Sequence, residues 1–305
     1  MGASVMTEPS KSRGIGFYYD VVRESASSWM DHKATKMGAA LAYYTAFSLA
    51  PLVILVLSIV SLFMKRDAAS QRIVAEISDL VGAEGGKVVN EILSHAGSTT
   101  ALSWSTLLSF VVLWISASGA FGEMQDSLNT IWEVPPQKHP WLSMLKERLL
   151  SLSMVFVLGF FMITSLLVSA FISGFTDAWG LSGSKFFLQV INVLVSWIVF
   201  TALFAVVYRM LPDIALKWRD VFPGAVVSST LFVLGKFLLG WYVAHSAFAS
   251  SYGAAASFVV ILFWVFYSAQ ILYFGAEFSR AFSRKRARMS ENPPTYAIAS
   301  SVTGR

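Results

Sequence analysis

The chain has 305 residues, of which 55% are apolar and only 13% charged, whereas a soluble domain carries nearer a quarter charged residues. With a mean hydropathy of +0.61, these proportions exclude an ordinary soluble domain and describe a chain that crosses a membrane several times. The net charge of +5 would suggest a nucleic-acid partner in a soluble protein, but here the basic residues sit in short segments beside apolar runs, as in oriented membrane helices. No nucleic acid is expected as partner, and the absence of cysteine removes disulfide and thiolate chemistry.

Residues 1–16 are polar and read as a disordered segment without the apolar core of a cleaved leader. Residues 17–36 mix aromatics with charges. They suit either a helix lying in the interface, with Phe17, Val21 and Trp29 dipping into lipid, or a solvated helix leading into the first span. His32 has no second ligand at helical spacing and reads as an interfacial polar residue, not a metal site. The first span covers about 38–64. Its Tyr44, Ser48 and Pro51 fall on one face, and Pro51 predicts a kink that either lines a cavity or is satisfied by neighbouring helices. Residues 65–101 are nearly charge-balanced. Ile73, Ile77 and Leu80, then Val88, Val89, Ile92 and Leu93, recur at helical spacing around Gly82, Gly85 and Gly86, which predicts two short amphipathic helices over the outer mouth of the bundle.

A second span, about 102–121, continues as a polar extension with Gly122, Asp126, Asn129 and Glu133 on one face until Pro135 and Pro136 stop it. A third span covers about 149–172. The fourth, about 186–208, carries Gln189, Asn192 and Ser196 as a polar stripe. The fifth, about 222–244, is apolar except for Lys236 near its middle. The sixth, about 254–276, has Tyr267, Gln270 and Glu277 on one side, and a basic tail covers 284–305.

Seventeen lysines and arginines fall before span one, between spans two and three, between four and five, or after six, against five on the opposite side. That bias places both termini in the cytoplasm, as an even number of spans requires. At about 1.5 Å per residue, Ser109, Thr164, Asn192, Ser196 and Lys236 then share one layer in the outer half of the bundle, with Gln189 a turn further out. Such a layer suits an outward-opening polar cavity. Lys236 either attracts an anionic group there, a carboxylate or a lipid phosphate, or snorkels and serves as glue between helices.

Enzyme readings have little support. The four histidines are scattered, and no phosphate loop or nucleophile elbow is present. Glu123, Asp126 and Glu133 resemble a nuclease centre only in composition, and carboxylates on such an extension are more often solvated or paired, here with Arg148 or Arg209.

The segments KMGAALAYYTAFSLAPL, GAFGEMQDSLNTIWEV, YRMLPDIALKWRDVFPGA and YGAAASFVVILFWVFYSAQILYFGAEF, in that order, resemble the successive signatures of the YihY/BrkB family of bacterial integral membrane proteins. The resemblance covers about 17–283 and implies one domain of six transmembrane helices. The family has been labelled virulence factor and ribonuclease BN, and neither label implies a mechanism or supplies catalytic residues. Within the signatures, Pro51, Asn129, Trp132, Pro212, Arg219 and Gly275 read as structural, and Arg209 with Glu277 as an ion pair that locks the bundle. The sequence therefore predicts an all-α membrane protein of the bacterial inner membrane, with membrane lipids as partners and neither cofactor nor metal. Its expected function is transport or translocation of an anionic or amphipathic molecule, a lipid among them. The alternatives are a noncatalytic scaffold and, last, a ribonuclease.

Overall fold

The computed structural model describes residues 15–61, 64–95, 119–135, 185–245 and 256–289, which form eight helices and no strand. In chain order these are α1 (Ile15–Asp31), α2 (Ala34–Val60), α3 (Arg66–Val81), α4 (Ala83–His95), α5 (119–131), α6 (Lys185–Met210), α7 (Trp218–His245) and α8 (Ala256–Met289). Among the described residues four helices, α2, α6, α7 and α8, are long and apolar enough to cross a membrane. They fall on the first, fourth, fifth and sixth predicted spans. Of the second predicted span only 119–121 are described, as the start of α5, and the third lies outside the described residues.

The bundle is built around α8, which packs against α7, α2, α1 and α4. Where α7 crosses α8, Gly224 faces Gly275; a Cβ on Gly275 would meet Ser228 Oγ, Tyr208 Oη and the Gly224 carbonyl. Small residues let the backbones approach, and hydroxyls then join the helices, the usual packing where lipid gives no hydrophobic drive between helices. Tyr208 Oη of α6 lies 2.7 Å from the Leu272 carbonyl and 2.7 Å from Ser228 Oγ, which itself lies 3.2 Å from the Ile271 carbonyl. Two hydroxyl hydrogens serve three contacts, so the two shorter ones are met when Tyr208 donates to Leu272 O and accepts from Ser228. Around this knot, Phe204, Phe232, Trp264, Leu272 and Tyr273 form the main core together with Leu128, Ile131 and Trp132 of the α5 segment.

At the far end, α3 and α4 form the amphipathic hairpin that the spacing of their apolar residues predicts. Gly82 turns the chain with φ of 93°, a conformation open to glycine. The next two glycines are buried, and their bare Cα atoms let Val81 and Ser78 of α3 lie against α4. The hairpin covers α2 through Ala69, Ile73, Val89 and Leu93, which pack on Val53, Leu57 and Val60. Pro51 lies inside α2, which is helical from Ala34 to Val60. Ser48 is buried, and its hydroxyl donates to the Thr45 carbonyl of its own helix at 3.0 Å.

The first helix corrects the sequence reading. Phe17, Val21 and Ser25 are buried, not dipped in lipid, because α1 lies against the final turns of α8 and packs on Phe278, Ala281 and Phe282. The faces of α1 that stay open carry Tyr18, Tyr19, Val22 and Met30. The last helix also runs thirteen residues beyond the predicted end at 276, so the first part of the basic tail is helical. Its amphipathic extension exists because α1 provides a surface to bury it.

The Gly224–Gly275 crossing leaves no room for a branched side chain. Gly275→Val is expected to lower stability by about 3 kcal/mol, read as the thermal midpoint in detergent, whereas Gly16→Ala, with open space around its Cα, is expected to leave that midpoint unchanged.

Candidate functional site

The end of the bundle where α1 meets α8 gathers the basic residues, and there most of the described ion pairs form. On α8, Gln270, Tyr273, Glu277 and Arg280 follow one another at steps of three, four and three, which places them on one helical face. Glu277 is 1% exposed. Its Oε1 lies 2.5 Å from His32 Nδ1 in the turn between α1 and α2. Two lone pairs at that separation would repel, so a proton lies between them. Its Oε2 is 3.7 Å from Arg280, and Arg280, itself buried, also pairs with Glu133 just after α5. A chain of paired side chains, His32, Glu277, Arg280 and Glu133, thus ties the α1–α2 turn, α8 and the end of α5 together. The predicted Arg209–Glu277 pair is not formed. The Arg209 guanidinium instead covers the Trp218 ring at 4.3 Å, a cation–π contact, because Glu277 faces away from the α6–α7 turn toward α1.

Glu133 reaches Arg280 through an unusual cap. The helix α5 ends with the Glu133 N–H on Thr130 O and the Val134 N–H on Asn129 O, a Schellman motif whose left-handed position is normally glycine. Here Glu133 occupies it with φ of 53°. Of the expectation that the α5 carboxylates are solvated or paired with Arg148 or Arg209, the solvated part holds for Glu133, whose side chain is 63% exposed, but its ion-pair partner is Arg280 on a helix distant in sequence; Arg148 lies outside the described residues.

A second contact joins α5 to the turn between α6 and α7. Asp213 Oδ2 accepts from Gln125 Nε2 and Asn129 Nδ2, each at 3.0 Å, and Asn129 Oδ1 accepts the Asp213 backbone N–H at 2.8 Å. Asn129 therefore clasps the turn from both sides, with Pro212 buried beside it and Trp132 1% exposed in the core. The Asp126 carboxyl is pushed above its ordinary range, first by desolvation and then by the Asp213 charge, although the side chain as a whole is exposed. Desolvation and then Asp126 raise Glu123 in the same way. Among the described residues no three His, Asp or Glu converge as metal ligands. At the C-terminal end of α8, Arg286 pairs with Asp220 at 3.1 Å and approaches the Arg219 carbonyl at 3.5 Å, and Lys285 pairs with Asp20 of α1 at 2.5 Å.

The predicted polar layer is only partly described. Ser109 and Thr164 lie outside the described residues. Gln189, Asn192 and Ser196 are on α6, and Lys236 is half-buried on α7. The two helices run antiparallel with Phe200 beside Phe232, 4.5 Å between ring centroids, so one further turn brings Ser196 to the level of Lys236. Near the hairpin end, a groove of about 380 Å³ between α2 and α4 is lined by Ala50, Ile54, Val88 and Ile92 together with Glu91 and His95. His32, Arg280 and Asp213 were not singled out as a site by sequence reasoning. The available signal was the three-four-three spacing of polar residues on the otherwise apolar α8.

Membrane-length helices knitted by buried hydroxyls, with a short amphipathic hairpin at one end and a charge network at the other, define an all-helical membrane protein. The family described as Virulence factor BrkB matches residues 25–298, and the chain belongs to that family. A UPF0761 membrane protein of Mannheimia succiniciproducens is 26% identical over 254 residues, 82% of this chain and 84% of that protein. One of Azotobacter vinelandii is 27% identical over 261 residues, 85% of this chain but only 62% of that longer protein. Another, of Pseudoalteromonas translucida, is 27% identical over 276 residues, 86% and 88% of the two chains. No solved structure matches the chain.

The Asn129 clasp accounts for two of the signature segments, since it fastens one to the other. Asn129→Ala removes a donor from Asp213 and strands the Asp213 N–H, and is expected to cost about 1–3 kcal/mol. Asp213→Asn, which keeps a carbonyl oxygen for the amide donors, is expected to cost less, and thermal unfolding of the two purified variants would rank them.

Proposed function

We propose that the protein is a transporter or translocator of an anionic or amphipathic molecule, a lipid among the candidates, working without cofactor, metal or catalysis. In this reading the chain crosses the bacterial inner membrane six times, with the basic end and both termini in the cytoplasm and a polar path opening on the opposite side. The observation that carries it is Lys236, a full charge held half-buried on a membrane-length apolar helix at the level of Ser196. A charge within a span costs about 2.5–3.5 kcal/mol on insertion scales, and such groups usually face an interior or a pathway. The mixed lining of the α2–α4 groove, four apolar residues with one carboxylate and one imidazole, suits an amphipathic molecule better than a small polar solute.

The second reading, a scaffold that recruits partners through the outer loop and the basic tail, is favoured by the open aromatic side of α1 with Tyr18 and Tyr19. Against it, Lys285 and Arg286 are already engaged by Asp20 and Asp220 within the chain. A ribonuclease centre is the weakest reading, since one of its three carboxylates, Glu133, is held by Arg280.

Reconstituted in liposomes, the wild-type chain is expected to move fluorescent anionic lipid between leaflets. Lys236→Met, at normal folded yield, is expected to slow that movement roughly tenfold, as loss of one charge-assisted contact implies. Unchanged movement in the variant would remove Lys236 from the path, and no movement of any anionic or amphipathic probe by the wild type would overturn the transport reading.

A further inference from the structure

The polar face of α8 contains more hydrogen-bonding capacity than the protein satisfies. Gln270 Nε2 donates to the Ala34 carbonyl at 3.3 Å, but its Oε1 has no partner, and neither do Tyr273 Oη and Arg280 Nε. Ser127 Oγ of α5, beside the Tyr273 hydroxyl, and Trp29 Nε1 of α1 are also buried without partners. Ser127 lies close enough to act on the Tyr273 hydroxyl, yet the geometry falls short of a hydrogen bond between them. A buried donor or acceptor left unmet costs about 1–3 kcal/mol. Clustered polar atoms of this kind hold internal water, each molecule bonding two to four of them.

We infer that the α8 stripe Gln270, Tyr273, Glu277 and Arg280, with His32 and Ser127 facing it, is a hydrated proton-binding site open to the basic end, in which the His32–Glu277 pair takes up the proton. The way in is provided by His32, whose side chain is 19% exposed while that of Glu277 is 1% exposed. The charged groups facing Glu277 are His32 from the α1–α2 turn, Arg280 from its own helix and Glu133 from the end of α5, and Glu123 lies beyond Tyr273. The nearest charges of α7 are turned elsewhere, Asp220 being held by Arg286, and Lys33 and Lys36 at the start of α2 are exposed.

The short contact between His32 Nδ1 and Glu277 Oε1 holds one proton between the two groups, with Arg280 and Glu133 as the charges beside them. A further proton arriving from water adds to the Glu277 carboxylate and makes it a carboxylic acid. No other covalent bond forms or breaks, Arg280 keeps Glu133 as its counter-charge, and Glu277 no longer offers a carboxylate to the α1–α2 turn. The site stands independently of lipid movement, and its readout does not depend on any transported molecule.

Infrared difference spectra of the full chain in lipid nanodiscs, taken between pH 8 and pH 5, test the site directly. The wild type is expected to develop a carboxylic-acid C=O stretch that shifts in deuterium oxide, and Glu277→Gln is expected to lack it. His32→Gln keeps the carboxyl but removes the imidazole whose contact favours the ionised Glu277, and is expected to bind the proton roughly tenfold more tightly, moving the midpoint up by about one pH unit. An absent band in the wild type, a band that persists in Glu277→Gln, or a midpoint unmoved by His32→Gln would each overturn the assignment. Should Glu277→Gln fail to fold, the wild-type and His32→Gln titrations still decide it.

Discussion

The close crossing of α7 and α8 at Gly224 and Gly275 is the contact on which the described bundle depends. Two side chains of zero size bring the backbones near enough for Ser228 and Tyr208 to reach the Ile271 and Leu272 carbonyls. Among helices that meet lipid, such close packing and buried hydroxyl bonds replace the hydrophobic drive that assembles soluble cores. Since α6, α7 and α8 are fixed there, the turn between α6 and α7 is carried to one place at the basic end. It is to that turn that Asn129 attaches α5.

The same crossing sets the direction of the polar face on α8. With Gly275 turned toward α7, the face carrying Gln270, Tyr273, Glu277 and Arg280 turns toward α2, α5 and the α1–α2 turn, where His32 and Glu133 meet it. Part of the charge at this end is paired inside the protein. Arg280, Lys285 and Arg286 each have an acidic partner on another element. An excess of lysine and arginine that, in sequence, speaks only of membrane orientation thereby also fastens α1 and the start of α7 to the last helix.

Two kinds of polar site follow from this arrangement. Lys236 is a single charge on an apolar helix, and its functional meaning lies in what surrounds the layer it shares with Ser196. Glu277 belongs to a closed set of charges beside polar atoms that the protein leaves unsatisfied. The first is the kind of feature that attracts an anion, and the second is the kind that holds water and a proton. Their positions, one on the middle turns of α7 and the other near the basic end of α8, separate them along the bundle.

The chain itself determined that it is helical and membrane-borne, because long apolar runs leave backbone groups no partner in lipid except their own helix. Local periodicity likewise determined the α3–α4 hairpin, whose glycines and apolar spacing specify a turn and one buried face. Family membership was legible in four segments whose order is a property of the sequence alone. What only the tertiary structure decided is who meets whom. His32 and Glu277 are 245 residues apart, Glu133 lies in the second signature while Arg280 follows the end of the fourth, and α1 is docked against the final turns of α8. Such pairings depend on the angle and depth at which helices cross, set here by glycines and hydroxyls on α7 and α8, and no residue's own neighbours in sequence record them.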